Sequence, residues 1–224
     1  MEKLLITVDG PAGSGKSTIS RLLARHLNYK YIDTGALYRG IAFETVSHKI
    51  DPDDEPQLNG LLERIDLGFE MTEKGLRLMS NGRDITGQIR SPEISMMASR
   101  VSAKPRVREK LFSLQKKLGK EKGAVFEGRD MGTVVFPEAD VKFFLVASVE
   151  ERAKRRFLEM GDLPSQTLEE VARDIQKRDE DDSNRKIAPL KAAPDATTID
   201  TTSLDIHAVL GKMIDVVRSV LQEK

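Results

Sequence analysis

Five short apolar runs punctuate the chain, at residues 4–8, 29–32, 124–126, 141–146 and 196–199. Each is close to continuously hydrophobic, the pattern of a strand buried on both faces. Segments with helical periodicity lie between them, at 17–27, 36–47, 104–118, 150–159, 168–181 and 206–221. Strands alternating with helices predict a three-layer α/β domain, a five-stranded parallel sheet covered by helices. Such sheets bind ligands beyond the carboxyl ends of their strands. Those ends carry Asp9, Asp33, the run Glu127-Gly128-Arg129-Asp130, and Asp200. One region breaks the rhythm. Residues 67–71, 76–79 and 84–85 follow the two-residue period of strands and are separated by Lys74-Gly75 and Asn81-Gly82, the second a strong hairpin signal. They predict a small antiparallel insert at about residues 60–101. The acidic stretch at 51–56 reads as a surface loop.

Composition narrows the class. The 224 residues include 36 basic and 36 acidic side chains, so no net field draws the chain to nucleic acid or to an anionic membrane. Local excess does occur: residues 104–122 hold eight basic and two acidic side chains, but only one aromatic, which favours a helix surface over a nucleic-acid site. There is no cysteine, hence no disulfide and no thiolate metal site, in keeping with a reducing compartment. His26, His48 and His207 have no metal-ligand spacing. No apolar run is long enough to span a bilayer, and a functional loop starting near residue 9 leaves no room for a cleaved leader. A cytoplasmic protein is expected.

The chemistry begins directly after the first strand. Gly10, Pro11, Ala12, Gly13, Ser14, Gly15, Lys16 and Ser17 fill every fixed position of a G-x-x-x-x-G-K-[ST] loop, followed by Thr18. Glycines let the backbone wrap a phosphate with its N–H groups inward. Lys16 is placed to neutralise the β- and γ-phosphates, and the Ser17 hydroxyl to ligate Mg2+. A glycine-rich turn alone would explain neither the lysine nor the serine.

Further segments point to a second anion. Asp33-Thr34-Gly35-Ala36-Leu37-Tyr38-Arg39 closes the second strand and opens a helix, with Thr34 a candidate cap and Arg39 within the first two turns. A capped helix with a surface arginine is the plainer alternative. Arg129 and Asp130, flanked by glycines at the sheet's functional edge, suit a polar ligand better than an exposed ion pair. Arg152 and Arg156 stand four apart on one helix face, and Arg178, Asp182 and Arg185 share another if that helix continues. Charged faces are usually solvated. Beside a phosphate loop, however, two arginine pairs are what phosphoryl transfer needs, because charge develops on the equatorial oxygens of the moving group. No general base is evident, and a phosphate oxygen of the acceptor needs none.

Taken together these motifs resemble the bacterial-type cytidylate kinases, of the nucleoside monophosphate kinase superfamily. The resemblance rests on residues 10–18 and 33–39, on Ile85-Thr86-Gly87-Gln88-Ile89-Arg90 and Pro105-Arg106-Val107-Arg108, and on 128–137 and 178–185. It implies a single kinase domain over 1–224, with a core at 1–59 and 102–224. A nucleotide-monophosphate-binding insert at about 60–101 and a short helical lid at about 152–182 complete it. By the same resemblance, residues 10–18 cradle ATP with Mg2+ on Ser17, and Arg152 and Arg156 close over it from the lid. Arg39, Arg129 and Arg185 hold the acceptor phosphate, Arg178 and Arg185 bridge the two nucleotides, and Lys16, Arg152, Arg156, Arg178 and Arg185 are the catalytic residues. Ser99, Arg108 and Asp130 read the base, Asp182 contacts the sugar, and Thr34 stands where the family often has serine. The implied activity is ATP- and Mg2+-dependent phosphorylation of CMP and dCMP by a monomer, without nucleic acid or membrane. Alternatives are a kinase of another small acceptor, such as UMP or shikimate, and a regulatory P-loop ATPase. The chain has no Asn-Lys-x-Asp sequence, so a GTPase is disfavoured.

Overall fold

The structure, a computed structural model, describes residues 3–73, 75–161 and 166–223. Lys74 of the first hairpin signal and residues 162–165 of the expected lid lie outside them. The chain divides into two compact units, one of Met1–Ile32 with Gly119–Lys224 and the other of Asp33–Leu118.

The larger unit is built on a five-stranded sheet in the order β2-β6-β1-β7-β8. Its strands are β1 (Leu5–Asp9), β2 (Lys30–Asp33), β6 (Ala124–Glu127), β7 (Val141–Val146) and β8 (Thr197–Asp200). β1 runs parallel to β6 on one side and β7 on the other, so that Val8 stands beside both Glu127 and Phe143. Leu4, Ile6, Val8, Val125, Phe143 and Leu145 are buried against Ile19 and Leu23 of α1 (Lys16–Leu27) and Val209, Met213 and Val217 of α8 (Ile206–Glu223). These are the apolar positions that identify the strands in the sequence. α6 (Val149–Leu158) and α7 (Leu168–Asn184) pack on one another through Ala153, Val171 and Ile175. A capping box fixes the start of α7: Glu170 N–H donates to the Thr167 hydroxyl, and the Glu170 carboxylate accepts from the Thr167 N–H.

The smaller unit has its own core of Leu37, Ile41, Leu61, Leu78, Ile85, Val101 and Leu111. The predicted meander is present, as β3 (Leu67–Thr72), β4 (Gly75–Ser80) and β5 (Arg83–Asp84), all antiparallel. Asn81 and Gly82 both take positive φ, 49° and 77°, as a two-residue hairpin turn requires. α2 (Thr34–Ser47) and α5 (Pro105–Gly119) match the periodic segments. Two helices here are absent from the sequence reading, α3 (Glu55–Arg64) and α4 (Pro92–Ser102). The stretch read as an acidic surface loop is in part a helix start, because Asp54 accepts a hydrogen bond from Gln57 N–H at 3.0 Å and caps α3. Asp51 and Asp53 pair with Arg100 of α4, and Asp53 also with Lys104.

Candidate active site

The phosphate loop belongs to the larger unit. At Gly10, φ 145°, an added Cβ would stand 2.1 Å from the Leu145 carbonyl oxygen, so only glycine lets the chain leave β1 this close to β7. At Gly13 a Cβ would meet Arg152 Cβ at 3.0 Å. α1 then opens at Lys16 with no side chain capping its first N–H groups, which leaves them for an anion.

Lys16 is buried, and its ammonium group curls back to donate to the Pro11 carbonyl and to the Ser14 hydroxyl. Burial pushes it down to about 7, with repulsion from Arg129 and Arg178 adding to the effect and Glu127 and Asp9 opposing it. The Ser17 hydroxyl donates to Glu127 Oε1 at 2.7 Å, and Tyr31 Oη donates to Glu127 Oε2. A hydroxyl and a carboxylate beside the loop fit Mg2+, a hard cation that prefers oxygen. Among the described residues no group of three or more His, Cys, Asp or Glu side chains could hold a metal. A Mg2+ ion here would therefore draw most of its shell from phosphates and water, as it usually does.

Beyond β6, the chain enters a single π-helical turn, Met131–Val135. Asp9, at the carboxyl end of β1, accepts from the N–H groups of Met131 and Gly132 at 3.0 and 2.7 Å and so pins this turn. Burial pushes the Asp9 carboxyl up to about 6, against the two backbone hydrogen bonds, which lower it. The pinned turn carries Arg129 and Asp130 into a cluster with the end of α7. Arg129 Nε donates to Asp182 Oδ2 at 3.0 Å, and Arg185 lies 3.6 Å from Asp182 and 3.8 Å from Asp130. Burial alone would raise Asp182, but Arg129, Arg178 and Arg185 hold it below the usual aspartate range. The helix does continue as the spacing required, to Asn184, and Arg185 caps it.

Arg152 and Arg156 have different surroundings. Arg152 is buried on α6, where it donates to the carbonyls of Ala147 and Ala12 and pairs with Asp179 Oδ2 at 2.6 Å. Arg156 lies on the exposed side and pairs with Glu159. Between them, Arg155 is anchored on Thr201, whose hydroxyl in turn donates to the Ser14 carbonyl.

In the smaller unit, Asp33 rather than Thr34 caps α2, accepting from Ala36 N–H at 3.0 Å, and Thr34 is the buried first helical residue. The same Asp33 pairs with Arg39 at 2.7 Å. An aspartate outcompetes threonine here because its second oxygen reaches the arginine while the first caps the helix. Arg108 is buried on α5, donates to the Ser102 carbonyl at 3.1 Å and lies 5.6 Å from the centre of the Tyr38 ring. Ser99, half-buried on α4, accepts at its carbonyl from the Ser102 hydroxyl. Sequence reasoning gave no role to Glu127, Tyr31, Asp9 or Asp179. Glu127 and Asp9 were visible as acids at strand ends, but Tyr31 sits in an apolar run and resembles core.

Known proteins resemble this chain in sequence and in fold. The family model described as "Cytidylate kinase" matches residues 6–219. A cytidylate kinase of Geobacter sulfurreducens is 46% identical over 216 residues, 96% of this chain and 93% of that protein. One from Shouchella clausii is 47% identical across 95% of each chain, and one from Caldicellulosiruptor bescii 43% identical over the full length of both. Among solved structures, an uncharacterized protein from Eubacterium ventriosum has a TM-score of 0.54 at 13% identity, covering 97% of this chain and 99% of its own. A shikimate kinase from Bacteroides thetaiotaomicron gives 0.50 at 13% identity with the same coverage. The last two are likenesses of fold.

Proposed function

Because this chain belongs to the cytidylate kinase family, we propose that it transfers the γ-phosphoryl group of Mg2+-ATP to CMP and dCMP. It is a phosphotransferase of that family. The observation that carries the finer reading is the pairing, in one compact unit, of a phosphate loop with a buried lysine and a separate arginine–carboxylate cluster of Arg129, Asp182, Arg185 and Asp130. A protein that only hydrolyses or senses a triphosphate has no use for the second cluster.

In this reading, residues 10–18 take the ATP phosphates, and Lys16 neutralises them. Ser17 and Glu127 hold Mg2+, which when bound shields the phosphate charge. An anionic phosphate oxygen of CMP attacks the γ-phosphorus, the new P–O bond forms, and the bond to the β,γ-bridging oxygen breaks to leave ADP. Arg178 and Arg185 stabilise the charge on the moving group. Arg39 and Arg129 bind the acceptor phosphate bidentately, as planar guanidinium groups do. Asp182 contacts the sugar, and Thr34 contributes its hydroxyl to the acceptor. Arg152 and Arg156 belong to the ATP side, in a short lid at 152–182, and the insert at 60–101 serves the monophosphate.

Base choice follows from hydrogen-bond complementarity. Cytosine offers an amino donor beside two acceptors. Asp130 accepts from the amine, while Arg108 and Ser99 serve the acceptors. Uracil sets a carbonyl where the amine was, leaving the carboxylate facing another acceptor, which a desolvated site rejects strongly. We place the enzyme in the cytoplasm, as a monomer in pyrimidine nucleotide metabolism. Measuring ADP release from Mg2+-ATP against a panel of nucleoside monophosphates tests the reading. CMP and dCMP should turn over well ahead of UMP. Equal ADP release with and without acceptor would overturn the kinase reading, and preference for UMP would overturn the base assignment.

A further inference from the structure

Four side chains on α1, β2 and β6 form a chain of contacts next to the phosphate loop. Ser17 and Arg21 stand four apart on α1 and therefore on the same face. The Ser17 hydroxyl donates to Glu127 Oε1 at 2.7 Å. Tyr31 Oη donates to the other oxygen, Oε2. The Arg21 guanidinium lies 5.4 Å from the centre of the Tyr31 ring, which brings the chain of contacts back to α1. Glu127 is itself buried, only 7% exposed, at the carboxyl end of β6.

A glutamate tethered through one oxygen keeps freedom about its last torsion, and ordering it later costs entropy. Tyr31 removes that freedom in advance. It also does so without charge. A lysine or arginine at this place would set a second positive charge against the carboxylate, whereas a neutral phenol holds it by a hydrogen bond alone. Arg21 sits over the face of the phenol, the electron-rich side, and so steadies the ring without competing for Glu127. We propose that Tyr31 is a positioning residue for the divalent cation: by holding Glu127 Oε2 it keeps Oε1 on the Ser17 hydroxyl, so the two oxygens that receive Mg2+ are set before the ion arrives. Tyr31 acts on the cation through Glu127. This rests on the Mg2+-nucleotide reading above.

The test is binding of ADP to the full chain by titration calorimetry, once in Mg2+ and once in EDTA, with no acceptor present. In the wild type, Mg2+ should tighten ADP binding. In Tyr31→Phe, which keeps the ring beneath Arg21 and loses only the hydroxyl, affinity in EDTA should stay within about twofold. The tightening by Mg2+ should shrink about tenfold, the worth of a hydrogen bond to a charged group. Arg21→Met, at an exposed position, should reduce it by a smaller factor, about threefold, and keeps the proposal testable should Tyr31→Phe fold poorly. An undiminished Mg2+ effect in both variants overturns the proposal. So does an equal loss in Mg2+ and EDTA, which would mark a merely structural contact. If Mg2+ leaves wild-type binding unchanged, the metal reading itself fails, and the proposal with it.

Discussion

Lys16 is the residue in which the cost of a preformed phosphate site is clearest. Its ammonium group is buried among loop atoms, faces Arg129 and Arg178, and is pushed down to about 7. In the free protein it is therefore about half neutral at pH 7. Entering phosphates supply the negative charge that burial withholds, and they return the lysine toward its ordinary range, near 10.5. Nucleotide binding must then take up a proton at any pH between those two values. At pH 8, titration calorimetry of ADP in buffers of differing ionisation enthalpy should show an uptake close to one proton per site. The uptake should fall away below pH 7, where the lysine is already charged. No uptake at pH 8 would mean that Lys16 is fully protonated in the free protein, and that the loop's own carbonyls are enough to stabilise it.

Arg152 and Asp179 show how elements are tied together. Arg152 on α6 reaches the Ala12 carbonyl of the phosphate loop and the Asp179 carboxylate of α7, so one guanidinium joins three segments of the larger unit. The arginine side chain is 5% exposed and the aspartate 21%. Removing the partner of a charge that deep is costly. Asp179→Ala should lower unfolding stability by about 3 kcal/mol, read as a shift in urea midpoint with unchanged slope. An unmoved midpoint would show that the Ala147 and Ala12 carbonyls satisfy the guanidinium alone. This link was not legible in the sequence, where Asp179 is one acid in a run of four, from 179 to 182. The strands were legible because apolar runs have few other uses, and so were α1, α2, α5, α6, α7 and α8 through their period. α3 and α4 were hidden by their own start signals: Asp54 with Pro56, and Ser91 with Pro92, cap and open helices but also compose loops. The π-helical turn had no local signature at all. It is held by the Asp9 carboxylate, 122 and 123 residues away in sequence from the N–H groups it binds.

At the scale of the whole molecule, that same Asp9 sets a pH dependence of stability. Formal charge is balanced at 36 of each sign, so overall repulsion contributes little near neutrality. Burial raises Asp9 from 3.8 to about 6 in the folded chain, so the folded state binds its proton more tightly than the unfolded state does. A raised carboxyl costs stability when ionised. That cost is fully present above pH 6, diminishes as pH falls toward 3.8, and is absent below it. Two units correspond to about 3 kcal/mol. Asp53, Asp182 and Asp195 are lowered instead, so their contributions are intact above 3.8 and lost only in stronger acid. Glu150 is lowered from 4.5, so the window from pH 6 to 4.5 is governed by Asp9, and unfolding stability should rise as acid is added across it. Asp9→Asn cannot ionise, and its Nδ2 would face an N–H where an oxygen now accepts, so the variant should be weaker overall. Its stability should nonetheless be flat through the window. Parallel pH profiles of urea midpoints for wild type and Asp9→Asn decide the matter, because subtraction removes every other group. A rise of equal size in both would place the titrating group elsewhere. A rise confined to the wild type would show that the strand end pinning the Arg129–Asp130 turn holds a carboxylate at the expense of stability.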